Sequence, residues 1–182
     1  MSNKMNLEHL KFPIGPFHKP SEFNENDILE WIRVIESFPN DLEGLCSELN
    51  AEALNWTYRP DGWSIKQVIH HCGDSHMNSL IRFKLALTEE QPTIRPYHED
   101  LWAKLEDSLD DDISYSLSLL KGLHYRWVKL LKSLTPDQLE RTFVHPEHGQ
   151  IFTLGETIAN YAWHCNHHKA HIEQAIKYKG SF

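Results

Sequence analysis

The segment WHCNHHKAHIEQ places four histidines within eight residues: His164, His167, His168 and His171. Imidazole ligates transition metals, shuttles protons near neutral pH and packs as an amphipathic ring, so the question is geometric. At about 100° per residue on a helix, all four fall within roughly 60° of His164. His164 and His168 are one turn apart and can converge on one ion. Two ligands do not close a tetrahedral or octahedral site, so a third must come from another segment.

A second cluster, HHCGDSH, offers candidates. On a helix His71 lies beside the apolar stripe formed by Ile65, Val68, Ile69, Cys72 and Phe83, the same relation that His164 has to its own stripe. His70 is expected to face solvent and His76 the core. Asp74, on the solvent-side edge, and His76 are candidates to orient an imidazole without ligating. His167 is expected to be exposed. His145 and His148 flank a turn that Pro146 explains. Cys72 and Cys165 adjoin ligand candidates in sequence but fall on the apolar stripes, so they read as packing residues, as does Cys46.

These residues need helices to hold them. Apolar residues recur at helical spacing from Glu25 through ILEWIRVIESF, with Pro39 expected to kink or interrupt the helix before LEGLCSEL. Ser64 with Gln67 is a capping box opening a helix to about Leu87, and Thr153 with Glu156 opens a last one to about Lys177. Between them, residues 111–134 carry Leu117, Leu120, Leu123, Trp127, Leu130 and Leu134 on one face. The connection TEEQPTIRPYHEDLWAKLE, residues 88–106, has room for one short helix. FVHPEHGQIFT reads as extended, with a turn around Glu147–Gly149. Four long helices with almost no strand signal predict an all-α four-helix bundle. Residues 1–24, with Pro13, Pro16 and Pro20, read as an irregular arm on a single domain of residues 25–182.

The totals exclude other classes. A formal charge of −8 over 182 residues argues against coating nucleic acid or an anionic membrane. No apolar run approaches the length of a membrane span, and MSNKMNLEHLKFPIGPFHKP lacks the apolar region of a secretory signal. Three cysteines at unrelated spacings fit a reduced thiol state, and the expected location is cytoplasmic.

WSIKQVIHHCGDSHMNSLIRFKLAL, TEEQPTIRPYHEDLW and WHCNHHKAHI resemble the YfiT-like branch of the DinB superfamily, small metal-binding bundles. The similarity runs from FPIGPF to the last helix. It implies an up-down-down-up four-helix bundle, usually a homodimer, with one divalent ion held by His71, His164 and His168. The chain departs from the wider superfamily after the last pair: Lys169, Ala170 and His171 stand where many members have basic-Gly-Gln. For His171 a hydrogen bond to a ligand is preferred over direct ligation.

Three neutral imidazoles leave such an ion its full charge. With a position open, bound water falls to a pKa near ~7, and a bound thiol loses its proton outright. Zinc or nickel fits best, with iron and manganese also accepting imidazole. The resemblance implies either a metal-dependent hydrolase or an S-transferase for low-molecular-weight thiols such as bacillithiol. Transfer of a thiol to an electrophilic small molecule is the favoured reading, hydrolysis the alternative, and metal binding without turnover the third. Arg95, Tyr97 and Trp102 of the long connection are candidates for the rim of a substrate cleft.

Overall fold

The computed structural model describes residues 7–147 and 149–182. His148, one of the two histidines expected to flank the hairpin turn, lies outside the described residues, as do positions 1–6 of the arm.

Four long helices form the bundle: α2 (Glu25–Cys46), α4 (Ile65–Thr88), α6 (Ser114–Leu131) and α8 (Leu154–Tyr178). Four short ones lie between or before them: α1 (Leu7–Lys11), α3 (Ala51–Leu54), α5 (Glu99–Trp102) and α7 (Pro136–Leu139). Helices α2 and α4 each pack against both α6 and α8, in the up-down-down-up order. The core between them is apolar and fully closed around Ile32, Ile35, Phe38, Phe83, Leu120, Trp127 and Ile158.

Caps fix where the helices that carry histidines begin. In α4 the Gln67 side chain accepts from the Ser64 amide at 3.0 Å, and its other end donates to the Ala103 carbonyl at 2.7 Å. One residue thus caps the helix and ties it to the long connection. In α8 Glu156 accepts from the Thr153 amide at 3.0 Å, and the Thr153 hydroxyl accepts from the Glu156 amide at 3.1 Å. The two orphan amides of that first turn are satisfied reciprocally.

Several expectations need adjusting. Pro39 does not interrupt α2, which runs through it for 22 residues. The arm is not wholly irregular, because α1 forms a short helix within it. The third long helix is shorter than its periodicity suggests, since Asp112 accepts from the Ser114 amide at 3.0 Å and sets the start. The long connection holds a 3₁₀ turn, Glu106–Leu109, as well as α5. Its beginning runs beside a two-stranded antiparallel hairpin, β1 (Thr142–His145) with β2 (Gln150–Thr153), the Ile94 amide donating to the Val144 carbonyl and the Val144 amide to the Pro92 carbonyl.

The arm is stitched along α8. Lys19 pairs with Glu156 at 2.8 Å, Trp163 donates to the Gly15 carbonyl at 3.2 Å, and Gln174 donates to the Leu10 carbonyl at 2.9 Å. Gly15 sits at φ +80°, a conformation open to glycine at little cost. Among the described residues no helix is long and apolar enough to cross a membrane.

Thr153→Ala removes the hydroxyl half of the α8 cap and should lower unfolding free energy by about 0.5–2 kcal/mol in urea titrations, with the denaturant slope unchanged.

Candidate metal centre

Helices α4 and α8 bring together His71, His164 and His168. A ligating nitrogen from each lies within 4.8 Å of the other two. Nε2 of His164 and Nε2 of His168 are 3.2 Å apart. Two nitrogens held about 2.0–2.1 Å from one zinc-like ion lie roughly 2.9–3.4 Å apart for angles between square and tetrahedral, so the α8 pair already has the spacing of two ligands on one ion. The donor set is three neutral imidazole nitrogens, borderline in softness, which suits a first-row transition ion.

Neutrality follows from burial. Desolvation, then the charge His167 would carry, pushes His71 down to about 4. Desolvation first and neighbouring imidazoles second hold His164 and His168 well below the usual histidine range. Lone pairs are therefore present at neutral pH, when a ligand needs them.

His71 packs under Trp63, with ring centroids 4.7 Å apart, and sits 5.5 Å from His164 and 4.9 Å from His168. Behind the centre, His76 is fully buried and its Nε2 lies 3.0 Å from Nδ1 of His164. His171 touches His168 through their Nδ1 atoms at 3.4 Å and stacks on Tyr58 at 3.7 Å.

In front, a cleft of about 800 Å³ opens onto the three imidazoles. Aromatic walls come from Phe12, Tyr58, Trp63 and Trp163, while Lys11, Arg59 and Lys104 face Asp61, Glu99 and Asp100 around it. The cleft thus offers an apolar interior and a rim of both signs. Burial first, then Asp100 and Glu147, raises Glu99 above the ordinary carboxylate range.

Other candidates sit differently from the sequence reading. Asp74 hydrogen-bonds none of the three imidazoles; its carboxyl, raised to about 6 by burial and then Asp107, faces Asp107 and His70. His70 is not solvent-facing. It is buried, with Nδ1 2.8 Å from the Ser116 hydroxyl and Nε2 3.0 Å from the Asp110 carbonyl, and so anchors the start of α6. His167 is also buried, stacked on Trp163 at 4.4 Å. The cleft takes Glu99, Asp100 and Lys104 from the long connection, not Arg95, Tyr97 and Trp102. Tyr97 and Trp102 instead pack on each other, 4.5 Å between rings, and Arg95 is exposed. Cys72 and Cys165 are wholly buried in the core, where burial raises both thiols.

His124 was not singled out by its sequence. It is buried on α6, and its Nε2 lies 2.7 Å from Nδ1 of His76. The signal was present, since His124 falls four residues after Leu120 and three before Trp127, in the middle of the buried stripe.

Residues 35–172 match the DinB superfamily. The chain belongs to that superfamily. Among its DinB relatives, a protein of Oceanobacillus iheyensis named "Putative metal-dependent hydrolase" is 50% identical over 169 residues, covering 93% of this chain and 97% of that one. Bacillus subtilis YfiT, which carries the same description, is 43% identical over 176 residues, covering 97% and 99%. The solved structure of YfiT, described as a probable metal-dependent hydrolase with an unusual four-helix bundle topology, superposes with a TM-score of 0.91 at 44% identity. It spans 94% of this chain and 98% of its own.

The buried histidines impose a pH dependence on the metal-free protein. In the unfolded chain they titrate near ~6.5; folded, His71 and His124 are lowered to about 4 and His171 to about 3. Between those values the unfolded chain takes up protons that the folded one refuses, so stability present above pH ~6.5 is lost as pH falls toward 4. Asp74 and Glu99, both raised, work in the opposite sense, but these two carboxyls are outnumbered by the lowered histidines. Urea midpoints of chelator-treated protein should fall steadily from pH 7 to pH 4.5; a flat profile would contradict the buried neutral cluster.

Proposed function

We propose that this DinB protein is a metal-dependent enzyme acting on small molecules, with His71, His164 and His168 as the metal ligands, and that its reaction is thiol transfer to an electrophile. The observation that carries the reading is the convergence of three neutral imidazoles, His71 and His168 buried and His164 partly so, at the floor of an open aromatic cleft. When bound there, a divalent zinc- or nickel-like ion supplies Lewis acidity and lowers the pKa of whatever water or thiol it meets. The residues of the chain do the rest. Because the ligands are uncharged, the ion's positive charge is left to attract an anionic nucleophile. Phe12, Trp63 and Trp163 give an apolar electrophile surface to lie on. Lys11, Arg59 and Lys104, interleaved with Asp61, Glu99 and Asp100, suit a small thiol bearing both carboxylate and ammonium groups, as bacillithiol does.

Hydrolysis is the second reading. The names of the relatives favour it, and so does Glu99, a carboxyl lining the cleft whose pKa burial raises and which is placed to accept a proton. The resemblance also suggests that the working unit is a homodimer in the cytoplasm.

The deciding experiment is a pair of assays on metal-loaded protein: conjugation of bacillithiol or cysteine to an electrophile such as chlorodinitrobenzene, and turnover of activated esters and amides without thiol. Thiol-dependent conjugation is the expected result, and His164→Ala should abolish both it and stoichiometric metal uptake. Thiol-independent ester cleavage, equally lost in His164→Ala, would replace transfer by hydrolysis.

A further inference from the structure

A neutral imidazole has one N–H and one lone pair, so a hydrogen bond at one nitrogen dictates what the other can do. Two chains of such bonds lead from His164 and His168 to the backbone. In the first, Nδ1 of His164 is 3.0 Å from Nε2 of His76, Nδ1 of His76 is 2.7 Å from Nε2 of His124, and Nδ1 of His124 is 2.6 Å from the Ile35 carbonyl. A carbonyl only accepts. His124 must therefore hold its proton on Nδ1, so its Nε2 accepts from His76 Nδ1–H. Nε2 of His76 then accepts from His164 Nδ1–H, and Nε2 of His164 keeps a lone pair.

The second chain is shorter and ends the same way. Nε2 of His171 is 3.0 Å from the Lys11 carbonyl, so it donates, and its Nδ1 accepts from Nδ1–H of His168 at 3.4 Å. Nε2 of His168 is left with a lone pair too. The two lone pairs face each other across 3.2 Å, a repulsive pairing that a cation between them relieves.

Both terminal carbonyls are ones that helices leave unpaired. Ile35 lies four residues before Pro39 inside α2, and proline has no N–H to return to it. Lys11 is the last residue of α1, where carbonyls lack intrahelical donors. Pro39 thus has a use that its place in mid-helix otherwise hides: it frees a buried acceptor for His124.

We propose that His76, His124 and His171 are positioning residues that lock His164 and His168 as Nδ1–H tautomers, using carbonyls freed by Pro39 and by the end of α1, so that both Nε2 lone pairs are committed to a cation before one arrives. This rests on the reading of His164 and His168 as ligands.

Long-range ¹H–¹⁵N spectra of metal-free, histidine-labelled protein at neutral pH report each tautomer directly. The expected pattern is Nδ1–H at His76, His124, His164 and His168, with Nε2–H at His171. An Nε2–H form at His164 or His168 overturns the proposal. Zinc titration against a chromophoric chelator gives a second readout. His171→Leu should weaken zinc binding about 10–100-fold, whereas His171→Gln, whose amide can donate to Lys11 and accept from His168, should stay close to wild type. Equal losses in the two variants, or none in either, also overturn it. If the leucine variant does not fold, the wild-type spectra decide alone. A wild-type protein that shows the tautomers yet takes up no zinc removes the metal reading and leaves the relay standing.

Discussion

The structure depends on keeping imidazoles dry. His71, His76, His124, His168 and His171 are all buried in a helical core, where the charged form of each is heavily penalised. A buried imidazole must stay neutral, and a neutral one must still satisfy a donor and an acceptor. The rest of the molecule answers that demand. Helices α4, α6 and α8 meet histidine to histidine, and α1 and α2 each contribute a backbone carbonyl at the periphery.

Local sequence choices place these groups. The caps at Ser64 and Thr153 fix the register of the two helices that face each other across the centre, and a slip of one residue in either would turn its histidines through about 100°. Gln67 and the Lys66–Asp111 pair, 2.7 Å apart, hold the long connection and the start of α6 against α4. The cleft is therefore walled by segments tied to the same helix that supplies His71.

Much of this could be read from residue spacing. Helical periodicity put His164 and His168 on one face and His71 beside its own apolar stripe, and the two capping boxes lie where Ser64 and Thr153 stand. What could not be read was contact between segments. His70 and His167 look solvent-facing on an isolated helix, but the start of α6 covers one and the arm with Trp163 covers the other. The cleft's use of Glu99 and Lys104 in place of Arg95 and Tyr97 depends on how the long connection folds back, which no periodicity encodes. Pro39 reads as a breaker because sequence rules count the missing amide and cannot see who uses the carbonyl it releases.

The bond between His171 and Lys11 joins positions 160 residues apart, and the neighbouring stitches from Leu10 to Gln174 and from Gly15 to Trp163 span 164 and 148. A nascent chain emerging from the ribosome exposes its arm long before α8 has been made, so these groups have nothing to hold until that helix appears. The histidine pocket therefore closes only after α8 has formed, and the arm acts as a clasp that fastens once that helix is in place.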